Sequence, residues 1–384
     1  MIIDQIRLKE IKDNYRSFIE SCNVDNEFKL TTNSEKSPYA LCFAIFGYQL
    51  LKDEKTINKN REKWIKLLLS NIKKYKENLR DDEIYFTKPY LQLLAFTLSS
   101  LKILNSIDNS EIVKHVEPII KFDIEESLTR FGVADGIPGS GNMAMFHAIL
   151  LIHLRDIIGH DVNESIDKWI NFHLKSMNKF GFWGKSKNMT YLMFQNGYHQ
   201  YEIFDYLKIN NNFWNLAAQN INLLKDRDSR YAPYPGGGGC YDYDAIHILT
   251  SKKNQEDYIQ SVTETAHSVC MSQNNDGGFS ESSCIRPRNF KNLKKNLNHL
   301  YFCPSKNKYE VLKRIISIQR PIHNKIKTHW TEYSRDWYES DLWDSWFRLL
   351  LIARCDVAND PKKFSDWGFI NYPGIGFHHK FQDD

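Results

Sequence analysis

The sequence predicts an all-α fold, an α6/α6-type toroid in which helical hairpins close a ring. Two observations carry this expectation. Strand-like alternation is scarce while helical periodicity is common, and a set of strongly apolar helices recurs at a near-constant spacing. These helices begin near Pro38, Pro89, Gly141, Met189, Tyr241 and Ser340, at intervals of 51, 52, 48, 52 and 99 residues, the last about twice the period. A solenoid of helical hairpins is the rival architecture, but it calls for clearer unit-to-unit similarity than the sequence has. The expected organisation is one domain over residues 1–384, with an insertion or lid near 285–325.

Taken in order, the apolar helices are "SPYALCFAIFGYQLL", "KPYLQLLAFTLSSL", "GNMAMFHAILLI", "MTYLMFQNGYHQY", "YDYDAIHIL" and "SDLWDSWFRLLLIA". Each follows a turn-rich stretch and is apolar nearly all round, as a helix buried on both sides must be. Between them lie "NREKWIKLLLSNIKKY", "NESIDKWINFHLKSM" and "DYIQSVTETAHSVCMS", whose charged faces suit an outer layer. The doubled interval holds "IRPRNFKNLKKNLNHL", strongly basic with spaced Phe290, Leu293, Leu297 and Leu300. It reads as a solvated insertion, a lid, or a surface for an anionic substrate.

Composition sets limits on function. At 384 residues, 42% hydrophobic and 26% charged, the chain can bury a large core. A formal charge of +4 is too small for this length to imply nucleic-acid binding. No apolar run reaches the ~18 residues of a membrane span. The N-terminal stretch has no basic region followed by an apolar one, so no secretory signal is expected. Seven scattered cysteines without a CxxC pair argue against a disulfide framework and a zinc cluster. A cytoplasmic protein is the expectation; the sequence leaves its oligomeric state open.

The loops that lead into the apolar helices are rich in glycine and aromatics: "FGVADGIPGSGN", "FGFWGKSKNM", "YPGGGGCYDYD" and "DWYESDLWD". In a toroid such loops gather at one end and form an aromatic-walled mouth, the expected site. Trp183, Tyr234, Tyr241, Trp337 and Trp343 are its candidate walls, each equally open to ordinary core packing.

"AHSVCMSQNNDGGF" ends a helix with a glutamine followed by Asp-Gly-Gly-aromatic, at Gln273, Asp276, Gly277, Gly278 and Phe279. This resembles the repeat motif of squalene–hopene cyclases and protein prenyltransferase β-subunits. The resemblance covers one repeat clearly. It implies an α/α toroid in which the glutamine and the aromatic tie successive helices. Class II terpene cyclases also carry an aspartate-rich motif entering an inner helix, whose middle aspartate protonates an alkene. Aligned on Ala245, Asp242 takes that position, while Cys240, Tyr243 and Asp244 depart from the pattern. The prenyltransferase zinc motif is matched less well, because Cys240 and Asp242 stand in reversed order.

The resemblance implies an enzyme, an isomerase or lyase, that acts on an isoprenoid or similarly hydrophobic substrate. Asp242 would be the acid, tuned by Asp244 and His247, which share a helix face at i, i+3. The plainer reading makes one of the two aspartates a helix cap. No cofactor is expected, since Asp244 and His247 give Zn2+ or Mg2+ two ligands where catalytic zinc usually has three.

In "QNGYHQY" the polar residues Asn196, Tyr198 and His199 sit in an otherwise apolar helix. They form either a satisfied interior network or a substrate-binding group with His199 as base. Polysaccharide lyases with an α/α toroid use such side chains. The alternative function is therefore a carbohydrate-active toroid enzyme (lyase, hydrolase or epimerase), and a third is a non-catalytic toroid that binds its ligand. Asp341, at a helix mouth, is a further candidate, while Asp344 and Arg348 read as an i, i+4 helix pair and Asn142 as a cap.

Overall fold

The computed structural model describes residues 4–77, 83–209, 212–251, 255–287 and 289–374. These residues are mostly helical, and the only sheet among them is a small antiparallel hairpin of β1 (Asn23–Val24) and β2 (Glu27–Phe28). The helices run α1 (Gln5–Ser21), α2 (Pro38–Leu50), α3 (Glu54–Glu77), α4 (Lys88–Ile103), α5 (Ser110–Val116), α6 (Ile124–Phe131), α7 (Ser140–His153) and α8 (Asn163–Ser176). They continue with α9 (Tyr191–Tyr206), α10 (Phe213–Asn222), α11 (Gly239–Leu249), α12 (Gln255–Cys270), α13 (Phe290–Phe302), α14 (Lys308–Gln319) and α15 (Leu342–Asn359). The six apolar helices of the sequence are α2, α4, α7, α9, α11 and α15, each beginning within two residues of its expected start.

The described residues divide into two compact units: 4–52, 187–191 and 213–368 form the first, and 53–186, 192–212 and 369–374 the second. In the first, α15 packs on α2, α11 and α12, and α1 packs on α2. All but two of the eighteen residues of α15 are buried, from Leu342 to Ala358. In the second unit α4 packs on α3 and α7, and α7 packs on α6 and α8. Here α3 buries Ile57, Trp64, Leu68 and Ile72 while its lysines stay outside, the amphipathic division its sequence requires.

Local signals set the helix starts. Asp4 caps α1 by accepting from the Ile6 N–H, Asp123 caps α6 through the Glu126 N–H, and Asp341 caps α15 through the Asp344 N–H at 2.9 Å. The Gln273 motif ties the first unit together. The Gln273 amide donates to the Ile11 carbonyl of α1 and to the Gly277 carbonyl, while Ser345 of α15 accepts from the Phe279 N–H.

The basic stretch within the doubled interval folds as α13 and α14, packed on each other. It is more than a solvated insertion. Ile318 of α14 joins a buried apolar cluster with Ala232, Tyr234, Ile285 and Trp337.

Candidate active site

The first unit buries an unusual number of charges around the start of α11. The loop before that helix, residues 231–239, is itself buried. Its glycines answer to close packing. A Cβ at Gly237, which has φ +70°, would lie 2.3 Å from Asp242 Oδ2, and one at Gly239 would lie 2.4 Å from Asp344 Oδ1. The glycines thus let backbone pass directly over two carboxylates.

Asp242 does not cap α11. The cap position is Gly238, which supplies no side-chain bond. Asp242 Oδ1 instead accepts the Tyr231 N–H at 2.8 Å, and Oδ2 accepts from Arg230 at 3.0 Å and from Arg348. The expected i, i+4 pair of Asp344 with Arg348 is replaced by this contact. Arg348 reaches across to α11, and Asp344 takes Arg335 at 3.0 Å. Arg335 Nε also lies 2.7 Å from Asp341 Oδ2, an ion pair by distance whose N–H is not aimed for a hydrogen bond. Burial makes α-helical i, i+4 pairing secondary here, because each desolvated charge needs the partner that encloses it best.

Glu281 completes the cluster. The Tyr234 hydroxyl donates to its carboxyl, and Arg348 donates to its main-chain carbonyl at 3.3 Å. Four carboxyls (Asp242, Glu281, Asp341, Asp344) therefore face three guanidiniums (Arg230, Arg335, Arg348). An enclosed cluster with one surplus acid favours retaining a proton. Burial, and after it the neighbouring Asp344, pushes Glu281 up to about 7. Burial, and after it Asp341, raises Asp344 well above the ordinary carboxyl value. These groups titrate as a set, not one by one. The Tyr234 phenol stays protonated, its pKa raised by burial and then by Glu281.

Aromatic rings pack on Tyr234, the tyrosine that bonds Glu281. Trp337 meets Tyr234 edge-on at 5.3 Å, and Tyr241 meets it at 6.2 Å. A cavity of about 300 Å3 adjoins the glycine loop, lined among others by Pro235, Cys284, Lys295 and His299. Asp244 and His247 are both buried within α11. Trp343 packs on Phe43, Trp330 and Phe347. Among the described residues no three His, Cys, Asp or Glu side chains are grouped as metal ligands.

The second unit holds the other sequence candidates. Asn196 accepts the Gly139 N–H and donates to the Ile137 carbonyl, both at 3.0 Å, so it fastens α9 to the loop before α7. The Tyr198 hydroxyl donates to Glu202 at 3.0 Å, and the Trp183 indole donates to the His173 carbonyl at 2.9 Å. Asn142 is not a cap: Gly139 holds that place. The Asn142 side chain accepts from Lys88 at 3.1 Å and donates to His199 Nε2 at 2.8 Å. An amide N–H can only donate, so His199 Nε2 accepts and the ring proton sits on Nδ1. Burial, and after it the Lys88 charge, lowers His199 to about 3.

Of the named candidates, the first unit therefore contains Asp242, Asp244, His247, Tyr234, Tyr241, Trp337, Asp341 and Trp343. The second contains His199, Asn196, Tyr198 and Trp183. Sequence reading missed Arg230, Arg335 and Glu281, all in loops. The available signal was an arginine in the loops that precede α11 and α15, the two apolar helices with aspartates in their first turns.

No family model, curated protein or solved structure matches this chain.

Proposed function

We propose that this protein is an enzyme of the α/α-toroid type that protonates a hydrophobic, isoprenoid-like substrate, with Glu281 as the acid. The observation that carries this reading is the Glu281 carboxyl. It accepts from the Tyr234 hydroxyl and has a pKa raised to about 7, and Tyr241 and Trp337 pack on that tyrosine. A general acid works best with its pKa near the working pH. Asp242 is less suited to the role the resemblance assigns it, because both its oxygens already accept from Arg230, Arg348 and Tyr231. Its part is to hold the two guanidiniums beside the acid.

In the proposed step the Glu281 proton goes to one carbon of a substrate double bond. The π electrons form the new C–H bond, and the adjacent carbon becomes cationic. The rearranged cation then loses a proton from a neighbouring carbon to water, which gives the product alkene, and Glu281 takes a new proton from solvent. Aromatic faces stabilise that cation, and the charges of Arg335 and Arg348 stabilise the carboxylate left behind. The toroid reading is supported by the repeat spacing, by the packing of α15 on α2, and by the tie that Gln273 and Phe279 make between helices.

The test is incubation with linear isoprenoids, with and without a diphosphate, in deuterated water. The expected product is rearranged and carries one new deuterium by mass spectrometry. Glu281→Gln abolishes it, and undiminished activity in that variant overturns the assignment. A second reading, a carbohydrate-active enzyme with His199 as base, is favoured by the Lys88–Asn142–His199 chain of hydrogen bonds. It predicts eliminative cleavage of uronate polysaccharides, read as new ultraviolet absorbance that is lost in His199→Gln.

A further inference from the structure

Helix α13 is inside out. Asn296 and His299, 4% and 8% exposed, face inward together with Asn292, while Leu297 and Tyr301 stand 54% and 72% exposed. Leu293, Leu297 and Tyr301 follow at i, i+4 and i+8, so they form one stripe along the helix. The polar interior face has a partner in the protein: His299 Nδ1 lies 3.4 Å from buried Asp226 Oδ2. Helix α14 adds a second stripe. Val311, Ile315 and Ile318 face inward, but Tyr309, Leu312 and Ile316 remain exposed. Lys308 lies over the Tyr301 ring, 5.8 Å from its centre, and links the two stripes at the hairpin turn. A surface helix normally turns such residues inward, and two adjoining exposed apolar stripes rimmed by polar groups mark a binding surface.

The charge around the stripes identifies the occupant. Residues 285–325 contain eleven Lys and Arg against one acid, Glu310. Lys294, Lys295, Lys306, Lys308 and Lys313 are exposed beside the apolar side chains. We infer that the α13–α14 hairpin docks on an anionic lipid bilayer, with its Leu, Ile and Tyr side chains in the interface and its lysines at the headgroups. Aliphatic side chains in water beside a cationic flank satisfy both halves of an interfacial membrane contact. A nucleic acid would use the lysines and leave Leu293, Leu297, Leu312 and Ile316 wet. A protein partner would be met by a surface depleted in lysine rather than enriched in it. No described helix is long and apolar enough to cross a bilayer, so the contact is peripheral.

The experiment is co-sedimentation of the full chain with phosphatidylcholine vesicles and with mixed phosphatidylcholine–phosphatidylglycerol vesicles. The expected result is binding to the mixed vesicles only, weakened by salt. The combined variant Leu293→Ser, Leu297→Ser, Tyr301→Ser lowers the partition coefficient about tenfold or more. Lys294→Glu with Lys313→Glu lowers it by a similar factor and removes most of the salt dependence. All five positions are exposed, and an unchanged thermal midpoint confirms that the variants fold. Equal binding to neutral vesicles, or full binding by the triple serine variant, overturns the proposal. So does self-association that the serine variant abolishes, because the face then joins two copies. Tighter, salt-sensitive binding to an oligonucleotide than to the mixed vesicles also overturns it.

Discussion

The two compact units differ in which of their buried titratable groups are shifted. The first encloses carboxyls among arginines, and its desolvated acids Glu281 and Asp344 are raised. The second encloses neutral histidines. His147 and His153 are lowered to about 4, His173 and His199 to about 3, each chiefly by burial. Burial disfavours charge in both units, but it moves acids up and imidazoles down. One physical cause therefore gives the two regions opposite responses to pH. The first is arranged to hold or release a proton near neutrality. The second keeps these histidines uncharged: His147 bonds the Tyr85 carbonyl, His173 the Trp169 carbonyl, His153 the Tyr372 hydroxyl and His199 the Asn142 amide.

The sharpest way to break this contrast is to unbalance the first unit's charges. Arg348→Met leaves Asp242 with only Arg230 as a cationic partner in a site where both side chains are buried. We expect a loss of about 3–5 kcal/mol in urea unfolding. A milder cost would mean that water reaches the cluster.

Next in size are the pH effects. Glu281 has a folded pKa of about 7 against an ordinary 4.5, so the folded state binds the extra proton between these values. Its contribution is present at low pH and is lost as pH rises through about 7, by on the order of 3 kcal/mol. The histidines have the opposite sign. Their folded values of 3 to 4 lie below the ordinary 6.5, so stability is full above 6.5 and falls as pH drops toward 4. The thermal midpoint should therefore be highest near neutral pH. Glu281→Gln should steepen the rise of the midpoint between about pH 4.5 and 7, because Glu281 opposes the histidines in that window, and His147→Gln should make the rise shallower. A variant that leaves the slope in this window unchanged would show that its group does not gain or lose a proton on folding.

Smaller still is the cost of opening the second unit's neutral network. Asn196→Ala removes the acceptor for the Gly139 N–H and the donor to the Ile137 carbonyl. A loss of about 1–3 kcal/mol, with no change in the shape of the pH profile, is expected from equilibrium unfolding. The smallest effect belongs to α13, where Leu297→Ser should leave stability within about 0.5 kcal/mol because the side chain is exposed.

Much of the helical framework was legible in the sequence. Apolar runs such as "FAIFGYQLL" and "SWFRLLLIA" can be satisfied only by burial on all sides, and a turn-rich stretch precedes each of them, so type and start could be read locally. The glycine loop was legible as a special place, and Asp242 and Tyr234 were named from it, as Asp341 was from the loop before α15. Their roles were not. Whether Asp242 caps a helix, holds a metal or faces arginines depends on which side chains lie opposite, and Arg348 is 106 residues away. Glu281 gave no signal because its raised pKa is a property of enclosure by Tyr234 and Asp344, not of its neighbours in sequence. The orientation of α13 was hidden for a related reason. Its apolar period predicts an amphipathic helix but not which face turns inward, and the polar face is the one that meets buried Asp226 through His299. The sequence by itself determined where helices form, because backbone preference and hydrophobic period are local. Tertiary structure alone decided which charges meet, which proton is retained and which apolar face stays outside, because desolvation and Coulomb energies depend on neighbours distant along the chain.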